Sequence, residues 1–473
     1  MRQFVQAIEK SFEVHSAQIV PPYLSWIYNV APSFSINGDQ ISILHKPDEF
    51  YTTLLERCRG AKKRIVLASL YLGTGPLESA LVQALDCRLK ELGKDLNVNI
   101  LLDANRGSRG IHNSRTMLLP LLRSHPHCQV AMFHTPALRG LLRHLLPPRY
   151  NELIGLQHMK VYVIDDSLII SGANLSQDYF TNRQDRYILI SDCPPIADFY
   201  YKLVDKVSSV SLKLCSNNIL SMSSNVHPYQ CSQETYSSHA RSEIWGFYMN
   251  MVEQSKRTIE AGHDTWIFPL IELPPISVHL DSKVTKRILE LADAGSTLHL
   301  ATPYFNLTDD YNSTILKRSK AQFQFLMAHP TANSFNTASG PAGRIPHAYT
   351  SLAAGFLNWA RRIGQCHRIT LLEYQRPGWT YHAKGLWHTL AGQSSPYLTL
   401  IGSSNFGARS VERDLESQVV IVTSNENLSK RLKEEQNHLY ELGIQFSEET
   451  ATQADRKSPL WVKAVLWFFK NYF

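Results

Sequence analysis

Several absences narrow this chain before any motif is considered. No Cys-x-x-Cys occurs, and the seven cysteines (Cys58, Cys87, Cys128, Cys193, Cys215, Cys231 and Cys366) are scattered and odd in number. Neither a disulfide framework nor a zinc site is expected, and reduced thiols fit a cytosolic or matrix compartment. No apolar run approaches the roughly 20 residues that cross a bilayer. The N-terminus has no secretory hydrophobic segment. Its Arg2 and Lys10 are offset by Glu9 and Glu13, so it reads poorly as a transit peptide. Charge of one sign is scarce, since 48 basic and 41 acidic residues leave a net +7 over 473 residues. That excess suits an anionic substrate or an acidic membrane surface. It is too small, with no aromatic platform beside it, to point to nucleic acid.

What the chain does carry is one short pattern twice. The first copy is His158-Met159-Lys160, then Asp165, then Ser171-Gly172-Ala173-Asn174. The second is His382-Ala383-Lys384, then Gly402-Ser403-Ser404-Asn405, and the two histidines stand 224 residues apart. Each Asn is followed eleven residues later by an acid, Asp185 in the first copy and Glu416 in the second. Thr389 stands where the second copy would place its counterpart of Asp165. A single His-x-Lys is a common triplet, but two copies with matched downstream residues imply two homologous halves facing one active site.

The surrounding pattern agrees. Arg64–Tyr71, Val98–Asp103, Gln129–Phe133, Lys160–Ile164 and Leu168–Ile170 read as strands, alternating with helices over Pro76–Leu92 and Asn113–Arg123. Ser296–Ala301, Gln322–Ala328 and the helix Ala348–Arg362 repeat that order. The expected class is α/β, with halves over 1–207 and 243–445, a Ser-rich mobile linker over 208–242, and a tail over 446–473.

The paired residues suit phosphodiester chemistry. One imidazole can attack phosphorus while the other protonates the departing oxygen and later deprotonates an incoming alcohol. Lys160 and Lys384, two residues from their histidines on an expected strand, share a face with them and can neutralise phosphate oxygens. Asn174 and Asn405 can add hydrogen bonds there. Asp185 and Glu416 are the candidates for fixing each imidazole's tautomer, and Asp165 is expected to support the site rather than touch substrate. A metal site is not expected, because each histidine has a lysine beside it and no acidic or cysteine cluster compensates. The motif requires no cofactor; the residues leave a stimulatory divalent cation open.

These residues resemble the phospholipase D superfamily. Ser69–Glu78, Arg106–Leu119, Gly155–Gln184, Pro303–Leu307, Leu372–Trp387 and Ser410–Glu416 are similar, more narrowly, to the eukaryotic phosphatidylglycerophosphate synthases. Gly385 and Trp387 after the second motif, in place of an acid, fit that narrower group. The resemblance implies two α/β/α sandwich halves packed pseudo-symmetrically around one site. It implies transfer of a phosphatidyl group from CDP-diacylglycerol to glycerol 3-phosphate, with release of CMP, in phosphatidylglycerol and cardiolipin synthesis. It also implies His158 as the nucleophile and a peripheral place on the mitochondrial inner membrane. Serine as acceptor, or water in a phospholipase D-type phosphodiesterase, are the alternatives that the residues leave open.

An anionic acceptor needs a second anion site. Arg106, Arg109 and Arg115 lie on a Gly/Ser loop after a strand, Arg344 on the matching loop of the second half, and Arg376 just before the second motif. Gly73-Thr74-Gly75 precedes a helix and could offer backbone N–H groups to a pyrophosphate. The tail Pro459–Phe473 is dense in Trp, Phe and Leu, with Lys463 and Lys470 seven apart. That pattern suits an amphipathic helix lying on an anionic membrane.

Overall fold

Along Val161–Ile164 the side chains alternate between two apolar cores, and this alternation sets the layering. Val161 and Val163 pack into the core that runs on into the second half. Tyr162 and Ile164 pack into a core made by the first half alone. Strands covered on both faces read as continuous hydrophobic runs, as these do. The computed structural model describes residues 20–255, 260, 262–336, 345–453 and 456.

Six strands recur in each half. In the first they are β1 (Arg64–Ala68), β2 (Asn97–Asp103), β3 (Gln129–Phe133), β4 (Val161–Ile164), β5 (Ser167–Ser171) and β6 (Tyr187–Ile190). Their spatial order is β3-β2-β1-β4-β5-β6, with β1 to β3 parallel and the rest antiparallel. In the second half they are β7 (Thr297–Ala301), β8 (Gln322–Ala328), β9 (Ile369–Tyr374), β10 (Gly385–Thr389), β11 (Leu398–Gly402) and β12 (Glu416–Thr423). Their order, β9-β8-β7-β10-β11-β12, and their directions repeat the first half strand for strand.

Local chemistry explains the helices that matter. α1 (Pro76–Leu92) starts with Pro at its first turn and stops at Gly93, whose φ of 59° suits glycine. Leu81, Leu85 and Leu89 form its buried stripe. α2 (Ser114–Ser124) is opened by a capping box in which Asn113 and Thr116 each bond the other's backbone N–H. α3 (Pro194–Ser209) covers the opposite face of the first sheet, and α4 (Gln233–Ser255) packs on α3 and reaches the second half, where Tyr248 donates to Pro269 O.

Three expectations change. Residues 34–44 do not stay within one half: Phe34–Ile36 pairs with Thr265–Leu273 in the second sheet, and Ile41–Leu44 then pairs with β6 in the first. The Ser-rich segment 208–242 is not a mobile linker. Leu212–Leu214 extends the first sheet beyond β3, Leu220–Ser221 pairs with it, and α4 begins at Gln233. Its polar composition hides an apolar pattern, because Leu212 and Leu214 alternate inward and Tyr236, Ala240, Ile244, Tyr248 and Val252 recur every fourth residue, all buried. Finally, the His-x-Lys triplets precede their strands: β4 opens at Val161 and β10 at Gly385. All seven cysteines are free thiols. The expected tail helix over 459–473 lies outside the described residues.

Candidate active site

β4 runs antiparallel to β1 with Val161 opposite Ala68, and β10 runs antiparallel to β7 with Gly385 opposite Ala301. Each His-x-Lys therefore emerges at the carboxyl end of the parallel strands, where α/β sheets place their clefts. Short cross-half pairings clamp the two triplets together. His158 N donates to Leu415 O at 2.8 Å, and His382 N donates to Gln184 O at 2.7 Å. Leu415 and Gln184 immediately precede the two candidate acids, so the clamps are equivalent under exchange of the halves.

The acids serve the opposite half. His158 Nδ1 lies 2.9 and 3.0 Å from the two oxygens of Glu416, and His382 Nδ1 lies 2.7 Å from Asp185 Oδ2. Neither half could complete a His–carboxylate pair alone. Glu416 also accepts from Ser403 Oγ at 2.5 Å and Ser410 Oγ at 2.7 Å. Asp185 Oδ1 accepts from Arg186 N at 2.8 Å. With Nδ1 held by a carboxylate, each ring presents Nε2 for chemistry.

Lys160 and Lys384 are fully buried and each donates to the backbone oxygen of its own histidine, at 2.7 and 3.1 Å. Burial holds both imidazoles well below their ordinary pKa, and each has its neighbouring lysine as the next cause. Lys160 acts on His382, Lys384 acts on His158, and the charge of His158 acts on His382. The four groups therefore share one buried, cation-rich centre. Burial also pulls Lys160 well down and Lys384 to about 8, against the pull of Asp185 and Glu416. Burial raises Asp185 to about 6. A phosphodiester anion placed here would offset the crowded positive charge and favour the protonated lysines and imidazoles. Because Lys384 loses its proton near 8 in the free protein, kcat/KM for an anionic substrate should fall as pH rises through that value. A profile flat across that range would contradict a phosphate-binding role for Lys384.

Asn174 is buried and Asn405 half-buried, and each has a buried amide oxygen with no hydrogen-bond partner among the described residues. An amide's O and N exchange places by a flip, so both can aim donors at a bound phosphate. Tyr179, which sequence reasoning missed, places its hydroxyl 3.2 Å from His382 Nε2. Arg183 stacks over the Tyr179 ring at 4.7 Å and bonds Thr380 and Asp178 through Nε and one Nη. Arg409 similarly bonds Asp414 and Glu152 O. Their one sequence signal is position. Asp178 and Arg409 each lie four residues after a motif Asn, and each pairs five residues on with a group of opposite charge.

Other expected site residues do different work. Asp165 sits at the far end of β4 in a turn with φ 50°, where its carboxylate accepts from Lys62, Lys63 and Arg64 N. It fixes the β4–β5 turn and does not reach the histidines. Gly73 N donates to Leu175 O, and the buried Glu78 carboxylate occupies the space beside Gly73 and Gly75 while accepting from Gln177 N. The Glu78 carboxyl group thus fills the space in the turn where a pyrophosphate was expected. Arg109 pairs with Glu152 at 2.7 Å, and Arg115 bonds Asn218. Both stitch loops together. Arg106 stacks on Tyr71 at 3.9 Å, and Tyr71 in turn bonds Ser176, two residues after Asn174. Arg376 stacks on Trp379 at 3.6 Å in the turn before the second motif. Arg344 lies outside the described residues.

His158, Asp414 and Glu416 bring ligand-type atoms within 4.8 Å of one another. Asp414 already accepts from Leu156 N and Arg409 Nε, and Glu416 from two serines and His158. These donors and Lys160 make the set a poor cation cage and a good holder of an imidazole.

Two strand-for-strand repeated α/β halves, each lending a carboxylate to the other's His-x-Lys, define a phospholipase D-like phosphotransferase. No family model matches the chain. A solved phosphatidylserine synthase from Haemophilus influenzae superposes with a TM-score of 0.72 at 19% identity, covering 94% of this chain and 96% of that one. The Homo sapiens mitochondrial CDP-diacylglycerol–glycerol-3-phosphate 3-phosphatidyltransferase is 46% identical, over 95% of this chain and 85% of its own length. The Schizosaccharomyces pombe enzyme of that name is 34% identical over 94% and 97%. The chain belongs to this 3-phosphatidyltransferase family.

Proposed function

We propose that this chain transfers the phosphatidyl group of CDP-diacylglycerol to glycerol 3-phosphate through a phosphatidyl-histidine, in phosphatidylglycerol and cardiolipin synthesis. The observation that carries the reading is the pair of buried imidazoles, each held at Nδ1 by the other half's carboxylate and flanked by a buried lysine. His158 Nε2 attacks the lipid-bearing phosphorus. The bond from that phosphorus to the CMP oxygen breaks, and His382 gives CMP its proton. Glycerol 3-phosphate then enters, loses its 1-hydroxyl proton to His382, and displaces His158. Two features support these roles. Among the described residues His158 Nε2 has no hydrogen-bond partner, leaving its lone pair available, whereas His382 Nε2 is bonded by Tyr179.

Arg106, Arg183 and Arg409 supply the cations for the acceptor's phosphate. Arg183 and Arg409 each leave one Nη without a hydrogen bond among the described residues. Offering CDP-diacylglycerol with glycerol 3-phosphate, glycerol, serine or water, and following CMP release, tests the reading. Turnover should require glycerol 3-phosphate, and serine-dependent release would instead assign a serine transferase.

Among the described residues no helix is long and apolar enough to cross a membrane. A peripheral position on the mitochondrial inner membrane is consistent with that, and the residues of 459–473 suit an anionic lipid surface by composition. Deleting 460–473 is expected to weaken sedimentation with anionic liposomes while leaving a soluble, cooperatively melting protein. A deletion that only precipitates the chain would show the segment to be part of the core instead.

A further inference from the structure

The net charge of this chain has a single address. Between Asp103 and Glu152, residues 104–151 hold seven arginines, no lysine and no acid, a charge of +7. The whole chain is also +7 from 48 basic and 41 acidic residues, so everything outside this stretch balances at 41 against 41. Among the described residues the same stretch carries five of the nine exposed large apolar side chains. Ile111 is 88% exposed, Leu141 78%, Leu145 75%, Tyr150 57% and Leu142 42%. Single exposed leucines are ordinary on a protein surface, whereas clustered ones ringed by cations are not.

The structure brings these residues into one face. The loop bearing Ile111 is tied to the segment bearing Leu141–Tyr150 by the Arg109–Glu152 ion pair. Arg115 ties the helix after that loop to Asn218, next to Ile219, which is itself 57% exposed. Arg139 bonds Cys231 O and Arg143 stacks on Tyr229 at 4.0 Å, so the short helix Gly140–Leu145 is anchored by its cations with its leucines facing outward. Of the six arginines here whose side chains are described, Arg109 alone pairs with an acid. The segment also leads straight into the active site. Glu152 O accepts from Arg409, Leu153 O from Arg413, and Leu156 N donates to Asp414, two residues before His158.

We propose that Ile111, Leu141, Leu142, Leu145 and Tyr150 form a docking face for an anionic phospholipid bilayer at the mouth of the active site. The leucines and the tyrosine enter the headgroup–acyl boundary, and the surrounding arginines meet lipid phosphates. Its residues are distinct in sequence from 459–473. It deepens the function proposed above, because a lipid donor must leave the bilayer to reach two buried imidazoles, and this face sets the cleft against the bilayer.

The test compares the unaltered chain with Leu141→Asp/Leu145→Asp and with the milder Leu141→Ser/Leu145→Ser. Each is sedimented with vesicles of phosphatidylcholine alone and of phosphatidylcholine mixed with phosphatidylglycerol. Each is also assayed on a water-soluble short-chain CDP-diacylglycerol. The unaltered chain should bind the mixed vesicles and bind phosphatidylcholine poorly. Both variants should melt normally and keep soluble-substrate turnover, because the replaced side chains are exposed. The Asp pair should lose vesicle binding by ~30-fold or more, from two leucines withdrawn from the interface. Unchanged vesicle binding in both variants would overturn the proposal. So would an unaltered chain that is oligomeric and becomes monomeric through these substitutions without losing vesicles, which makes the face a contact between copies. A chain that never turns over soluble substrate, yet loses vesicles through these substitutions, still supports the docking face and counts only against the reaction.

Discussion

Replacing either His158 or His382 by alanine is expected to remove phosphatidyl transfer, a fall of at least ~10⁴-fold, and the double replacement should be no worse than either single one. The two imidazoles act in sequence on one phosphorus. Without the attacking ring no intermediate forms; without the other ring CMP leaves unprotonated and the acceptor hydroxyl keeps its proton. Additive losses would mean that the rings act in separate events. Structural collapse is a weak rival explanation, since the clamps that join the halves run through backbone atoms of His158 and His382 and survive the substitution. A normal melting profile for each variant confirms that separation.

Exchanging the acids is the second large effect. Glu416→Gln and Asp185→Asn keep shape and volume but remove the charge that holds each Nδ1–H. Turnover should drop by ~10³-fold with KM little changed, because the amide can stabilise the wrong tautomer and cannot support an imidazolium. The cross-half arrangement makes the prediction specific. Glu416→Gln should impair the chemistry of His158, which lies in the other half, and Asp185→Asn that of His382. If His158 is the nucleophile, Glu416→Gln slows formation of the intermediate, whereas Asp185→Asn slows both CMP departure and acceptor attack. Both variants therefore slow CMP release, and rapid-quench measurement of how fast glycerol 3-phosphate chases a preformed phosphatidyl-histidine, which only Asp185→Asn should slow, distinguishes the two. Equal, modest losses of a few-fold in both variants would reduce the acids to packing elements.

Much of this was legible before the fold was known, for physical reasons. Strands such as Gln129–Phe133 and Gln322–Ala328 are buried on both faces and are read directly from their apolar runs. Asp185 and Glu416 stood out because a duplication preserves offsets. The offset could not say which histidine each acid serves, since the partner is 197 or 258 residues away and lies across the interface. Tyr179, Ser403 and Ser410 contribute one hydroxyl each, with no periodicity to flag them. Arginines misled for a related reason. A guanidinium on a Gly/Ser loop bonds a substrate phosphate or a neighbouring loop equally well, and Arg109 and Arg115 found loop partners first. The Ser-rich stretch failed because average composition conceals phase: one apolar residue in four is enough to bury a helix face.

The account rests on a covalent lipid–imidazole intermediate shared between the halves. Mixing the protein with CDP-diacylglycerol without acceptor, quenching under alkaline conditions that spare phosphoramidates, and mapping peptides by mass spectrometry tests it directly. A phosphatidyl group on His158, chased off by glycerol 3-phosphate, is the predicted result. CMP release at full rate with no lipid adduct on either His158 or His382 would contradict it.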